Sequence, residues 1–241
     1  MQNEYQYLQP ALPADHAKQQ RATDMVNDHF TKSPHPKTML DFGCGVGSSI
    51  DFFTSALPST KWVGVDIEIS PEVNARTRTD GEFHSYNGTD LPFEDSSFGL
   101  VYSNQVLEHV RYPEKVLAEI SRVLTDDGVF IGQVSQLEPL HSYSIFNFTV
   151  YGFKRVCESN GLNVQLLRPS IDGMTLIERS YKERPKHLNQ WFASESPINL
   201  EIERIAQKEK QSIQVINYQK LIHSGQFGFV CSKVTADSDP A

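Results

Sequence analysis

The chain has 241 residues, 39% of them apolar and 22% charged, with 14 glycines and 13 prolines; this excludes a disordered or fibrous protein and leaves ample apolar material for a core. Thirty acidic against 22 basic residues give a net charge of −8, which argues against a nucleic-acid partner, because affinity for a phosphate backbone comes from clustered Lys and Arg. No stretch reaches the ~18 uninterrupted apolar residues of a membrane span, the first residues lack both parts of a signal peptide, and Cys44, Cys157 and Cys231 fall in no CxxC or Cys/His ligand spacing, so the expectation is a cytoplasmic protein with no disulfide and no metal site.

In chain order, residues 1–36 read as an arm and a helix. The first 14 hold Tyr5, Tyr7, Leu8, Pro10, Leu12 and Pro13 without a period, as expected of a segment laid over another surface. Asp15 is the expected N-cap of a helix in which Ala22, Met25, Val26, His29 and Phe30 share a face, ended by Pro34 and Pro36. Residues 38–42 then predict a buried strand, 43–47 a tight turn, and Ile50, Phe53 and Leu57 the apolar face of a helix closed by Pro58. Further strands are predicted at 62–66 and 98–103, followed by a helix at 113–124. Asp126-Asp127-Gly128 reads as a turn into a strand at 129–133. A helix with Val150, Phe153, Val156 and Cys157 inward stops at Gly161, and strands follow at 163–167 and 226–233. Strands separated by helices imply parallel crossovers and a sheet covered on both faces. Residues 170–225 are too many for a structureless loop, and Leu200, Ile202, Ile205 and Ala206 mark them as an insertion with its own helices.

The segment that carries chemistry is Leu40-Asp41-Phe42-Gly43-Cys44-Gly45-Val46-Gly47-Ser48. Without side chains at Gly43 and Gly45 a ligand can approach the backbone, and the start of the next helix offers free N–H groups. A dinucleotide fingerprint is G-x-G-x-x-G; here the third glycine comes one residue early, and Asp41 stands two residues before the first. That acid repels a pyrophosphate and attracts an ammonium group, so a ligand with a cationic amino-acid end fits better than NAD. Asp66, at the end of the second strand, suits the two hydroxyls of a ribose.

Two later segments complete the pattern: Asn87-Gly88-Thr89-Asp90-Leu91-Pro92-Phe93 and Ser103-Asn104-Gln105-Val106-Leu107-Glu108-His109-Val110. With them, residues 38–167 resemble the class I S-adenosylmethionine-dependent methyltransferases, in particular the small-molecule group typified by the quinone-biosynthesis enzymes. The resemblance implies an α/β, Rossmann-like, seven-stranded and mostly parallel sheet with helices on both faces. Residues 37–169 plus 226–233 would form the core, 1–36 a helical arm, and 170–225 a lid over the acceptor side. It also implies S-adenosyl-L-methionine as cofactor. Asp41, Gly43, Cys44 and Gly45 would surround its methionine end, Asp66 would hold the ribose, and Ile67 would pack on adenine. Asn87, Gly88 and Thr89 would meet the adenine amino edge, and Ser103, Asn104 and Gln105 would border the sulfonium. Asn87 departs from the family, which usually has an acid there; an amide still accepts from an amino group but brings no charge.

The implied reaction is in-line displacement onto a small-molecule acceptor, with an oxygen of a metabolite or glycosyl unit the favoured target. Where the acceptor must lose a proton, the base candidates are His141 and His109, then Glu108 and Tyr143, because the segments after the fourth and fifth strands reach the carboxyl end of the sheet. Tyr143, Phe146, Phe148, Tyr151, Tyr181 and Trp191 supply aromatic surface for such an acceptor. Two alternatives stay open at this level, an NAD-dependent oxidoreductase and a non-catalytic cofactor-binding module. The sequence carries no signal for oligomeric state.

Overall fold

The computed structural model describes residues 2–234. Among them seven strands form one sheet: β1 (Thr38–Phe42), β2 (Lys61–Ile67), β3 (Glu82–Tyr86), β4 (Phe98–Asn104), β5 (Leu124–Ser135), β6 (Leu162–Pro169) and β7 (Gln226–Lys233). The spatial order is 3-2-1-4-5-7-6, with β1 to β5 parallel and β7 antiparallel between β5 and β6. The carboxyl ends of the parallel strands therefore share one edge, and the loops after β1, β2, β3, β4 and β5 all open there.

Nine helices accompany the strands among the described residues: α1 (Gln2–Leu8), α2 (Ala22–Phe30), α3 (Ile50–Ala56), α4 (Pro71–Asn74), α5 (Pro113–Val123), α6 (Val150–Glu158), α7 (Gly173–Tyr181), α8 (Pro197–Glu209) and α9 (Ile213–His223). Alternation along the strands sorts the core into two layers. Leu40, Phe42, Val101, Phe130 and Phe229 point to the face covered by α1, α5 and α6. Met39, Leu100, Tyr102, Ile131 and Val230 point to the face where Met25, Val26 and Phe30 of α2 and Phe53 of α3 pack.

Three local expectations change. Asp15 does not cap α2; both its oxygens accept from Arg168 Nη2 at 2.7 Å, and Arg168 is buried at the end of β6. The cap is Arg21, whose backbone N–H donates to the Asp24 carboxylate at 3.0 Å. Asp126-Asp127-Gly128 does not break the chain. It lies inside β5, and the extra residues are absorbed by a register shift against β4 between Phe98 and Leu100. The aperiodic arm contains α1, whose Leu8 joins the core and whose Tyr5 meets Tyr218 edge-on at 5.1 Å.

The insertion carries α7, α8 and α9 and meets the arm directly. Gln19 Nε2 donates to the Trp191 carbonyl at 2.7 Å, and Asn199 Nδ2 donates to Gln19 Oε1 at 2.8 Å. At the centre of this contact Lys220 of α9 is fully buried, donating to Glu203 (2.5 Å), Glu195 (2.8 Å) and the Ala17 carbonyl (2.6 Å). Removing the ammonium leaves two carboxylates without their cation. Both keep some water contact, which holds the loss below the ~3–5 kcal/mol of a fully dry pair. Lys220→Met is thus expected to destabilise by about 2 kcal/mol in urea denaturation; a change below about 0.5 kcal/mol would show that the arm is held by its apolar contacts instead.

Candidate cofactor and acceptor site

At the carboxyl edge of β1, β2 and β4 lies a cavity of about 380 Å³, lined by Gly43, Asp66, Ile67, Tyr86, Asn87, Gly88, Thr89, Val106, His109, Val110, Arg111 and Tyr112. That volume is within the roughly 300–1,000 Å³ typical of small-molecule sites. Gly43 brings the start of the glycine turn into its lining. Gly43 has φ +78°, and a Cβ there would overlap both methyl carbons of Val106, so backbone and roof touch only because position 43 has no side chain. Gly45 N–H donates to Asp66 Oδ2 at 2.7 Å, and the other Asp66 oxygen accepts from the Ile67 N–H. This carboxylate thus ties the turn to the end of β2 while facing the cavity. Burial raises its pKa, and the two N–H bonds oppose that rise.

The adenine-side segment is a self-bonded turn. Asn87 Oδ1 accepts from the N–H groups of Thr89 (2.9 Å) and Asp90 (2.8 Å), while its Nδ2 donates to Asp90 Oδ2 (2.7 Å). Much of the Asn87 amide is therefore spent on shaping the loop. A Cβ on Gly88 would meet nothing within 4 Å, so its backbone is open to a flat ligand.

Several expected site residues sit elsewhere. Asp41 is buried under the turn, on the face covered by α3, where Ser49 Oγ donates to it and Trp62 Nε1 donates on to Ser49 at 3.1 Å. The Cys44 thiol faces inward against Gly64 and lies 3.6 Å from Arg76 Nη2; burial and the Asp41 charge push it up to about 12. Ser103 is buried with its hydroxyl unpartnered, and Asn104 is exposed. Gln105, at φ +58°, turns from the cavity lining toward β5 and β7. With its amide nitrogen facing the carboxylates it reaches Glu108 Oε1 and Ser135 Oγ (3.0 Å each) and Glu138 Oε2 (3.1 Å). Conversely, Val106, Val110, Arg111 and Tyr112 line the cavity although no sequence signal singled them out; they share the β4 exit with His109, which was the available hint.

The base candidates converge. Glu108 and His109 lie in the helical turn after β4, and His141 in the loop after β5. The two imidazoles meet edge to face with centroids 5.3 Å apart, and His141 Nε2 is 3.9 Å from Glu108 Oε1. Glu108 is fully buried, and that burial pushes its carboxyl up to about 7 against a hydrogen bond from Ser135. Tyr143, by contrast, is 82% exposed. Among the aromatics proposed for the acceptor, Phe148 packs on the core, while Tyr143, Phe146, Tyr181 and Tyr151, which meets Tyr7, remain exposed.

Asp41 gives the apo protein a pH signature. Burial pushes its carboxyl up to about 7; the Ser49 hydrogen bond lowers it, and the Asp66 charge raises it further. The folded chain therefore holds this proton more tightly than the unfolded chain, so the stabilisation is present below the unfolded value of 3.8 and is lost as pH rises through 7. Between pH 5 and 8 this group should cost the wild type about 2–3 kcal/mol. Asp41→Asn should flatten that dependence in urea titrations; identical pH profiles for the two proteins would refute the assignment.

Comparison with known proteins agrees with this geometry. Residues 40–132 match the methyltransferase domain family model. The demethylmenaquinone methyltransferase of Symbiobacterium thermophilum is 30% identical over 135 residues, 53% of this chain and 52% of that one. The chain spans about half, or less, of the length of the curated relatives it matches. Among solved structures, the methyltransferase chain of a Haloferax volcanii complex with the Trm112 methyltransferase activator superposes with a TM-score of 0.57 at 19% identity, over 90% of this chain and 91% of that one. A Haemonchus contortus phosphoethanolamine N-methyltransferase in complex with S-adenosyl-L-methionine gives 0.57 at 15% identity, over 88% and 52%. Residues 40–132 thus resemble a methyltransferase domain, and the sheet that carries them has the fold of the methyltransferase structures it superposes on. No helix among the described residues is long and apolar enough to cross a membrane.

Proposed function

We propose that this protein transfers the S-methyl group of S-adenosyl-L-methionine to an oxygen of a small metabolite or glycosyl unit. The methyl-transfer part of this reading is carried by one observation: Gly43 of the matched glycine turn, Asp66 and residues 87–89 line the same cavity. S-adenosyl-L-methionine supplies an electrophilic methyl on a positively charged sulfur, so the protein's task is alignment. Gly43 brings backbone close to the methionine end. Asp66 has unused lone pairs toward the cavity for the ribose hydroxyls. Ile67, 41% exposed, offers an apolar face to adenine, and the open backbone at Gly88 leaves room beside it.

His109 marks the passage from the cofactor cavity to the acceptor side. Beyond it the loop after β5 exposes Leu140, Tyr143, Ile145 and Phe146, and α7 exposes Met174, Ile177 and Tyr181. Such a rim suits an acceptor with a substantial apolar part. As the acceptor oxygen bonds to the methyl carbon and the S–C bond breaks, its proton passes to His141, with His109 the second candidate. Residues 170–225 act as a lid whose attachment to the arm sets the acceptor space. Incubating the chain with S-adenosyl-L-methionine labelled in the methyl group and a cell extract tests the reaction. A labelled, ether-linked small molecule supports it, whereas label on nitrogen or carbon, or none, overturns the oxygen assignment.

A further inference from the structure

We propose that Glu108, His109 and His141 bind a divalent transition-metal ion at the boundary between the cofactor cavity and the acceptor rim, and that this ion ligates the acceptor oxygen. The role of the ion rests on the methyl-transfer reading; the site itself does not. One donor atom from each of the three residues lies within 4.8 Å of the others. Ligands of a single ion at ~2.1 Å can be at most ~4.2 Å apart, so side-chain shifts below about 1 Å close the site.

Hydrogen bonding fixes which atoms are free. The His109 ring lies edge to face against His141, and its Nδ1 is buried without a partner. His141 has Nδ1 3.2 Å from the Pro139 carbonyl, and its Nε2 is buried without a partner. Each ring thus keeps a buried, unpartnered nitrogen, and His141 uses its other N–H on a backbone carbonyl. That is the arrangement by which an outer partner orients a metal-binding imidazole. Glu108 completes the set. Fully buried, it accepts from Ser135 Oγ at 2.8 Å with Oε1, while Oε2 has no partner.

The groups do not satisfy one another. The 3.9 Å between His141 Nε2 and Glu108 Oε1 is beyond a hydrogen bond. Glu138 adds a second largely buried carboxylate, 3.9 Å from His141 Nδ1. Among the described residues no Lys or Arg forms an ion pair with Glu108 or Glu138. A cation supplies the missing charge. Two imidazoles and one carboxylate select the Zn²⁺, Mn²⁺ or Fe²⁺ class over Mg²⁺ or Ca²⁺, whose sites are built from oxygen. Three protein ligands also leave open positions for an acceptor hydroxyl, whose proton, easier to remove once the oxygen is on the ion, passes to solvent; with the ion bound, His141 and His109 are ligands in place of bases.

The test is equilibrium dialysis of the chelator-treated full chain against Zn²⁺, Mn²⁺ and Mg²⁺ separately, with metal analysis, for wild type, Glu108→Gln and His141→Ala. The expected result is one Zn²⁺ or Mn²⁺ per chain, with affinity at least about 10-fold lower in each variant, and with S-adenosylhomocysteine affinity in His141→Ala within about threefold of wild type, which also verifies folding. Absence of a stoichiometric ion, preference for Mg²⁺, or equal affinity in wild type and His141→Ala would overturn the site. Should the wild type bind the ion but not S-adenosylhomocysteine, the metal site stands and its role in methyl transfer falls.

Discussion

Gly43→Ala is expected to lower affinity for S-adenosylhomocysteine at least about 100-fold, equivalent to ~2.7 kcal/mol. Two effects add. The backbone sits at φ +78°, a conformation in which a Cβ costs roughly 1–2 kcal/mol. The new methyl group would also occupy the space of the Val106 side chain, which roofs the cavity. Val106 cannot retreat alone, because its carbonyl accepts the His109 N–H at 2.9 Å and Leu107 behind it is fully buried. The strain therefore passes to the turn that carries Glu108 and His109. Calorimetry gives the affinity, and thermal denaturation separates a damaged site from a damaged fold. A folded variant with wild-type affinity would mean that the cofactor does not lie against this turn.

Asp66→Ala carries the second large effect, a loss of about 30–100-fold in the same affinity, or ~2–2.7 kcal/mol. The substitution deletes acceptors for the ribose hydroxyls, and hydrogen bonds to a charged group contribute ~1.5–3 kcal/mol. It also frees the Gly45 N–H that Asp66 holds at 2.7 Å, so the turn loosens at the point where the methionine end should rest. Asp66→Asn keeps the shape and one acceptor, and its loss should be smaller, near 10-fold. A loss below about threefold for Asp66→Ala would remove Asp66 from the ribose site.

Legibility in the sequence followed the range of the forces involved. Strands buried on both faces, such as β1 and β4, announce themselves as apolar runs between turn residues, and the glycine turn and Asp66 are neighbours through one strand pairing. The edge strand β3 is hidden because Glu82 and Ser85 are exposed and Phe83 and His84 only partly covered, so its apolar pattern is weak. Asp15 was misread because an N-cap and an ion-pair partner look alike in sequence; only the fold brings Arg168 to it. Gln105 follows β4 in the segment that resembles a sulfonium border, but its amide bonds with Ser135 and Gln226, long-range partners that only the fold brings to it. The Glu108–His109–His141 cluster has no spacing signature at all. It exists because β4 and β5 pair in register, Asn104 opposite Gln133, so that the loops following the two strands leave the sheet side by side.

The central claim is that the cavity of Gly43, Asp66 and Asn87 holds S-adenosyl-L-methionine. Calorimetric titration of the full chain with S-adenosylhomocysteine tests it most directly. One site per chain with a Kd below about 1 mM, the upper end of ordinary substrate affinities, displaced by S-adenosyl-L-methionine and weakened by Asp66→Ala, is the predicted result. No binding by the folded wild-type chain, or binding that Asp66→Ala leaves unchanged, would contradict it.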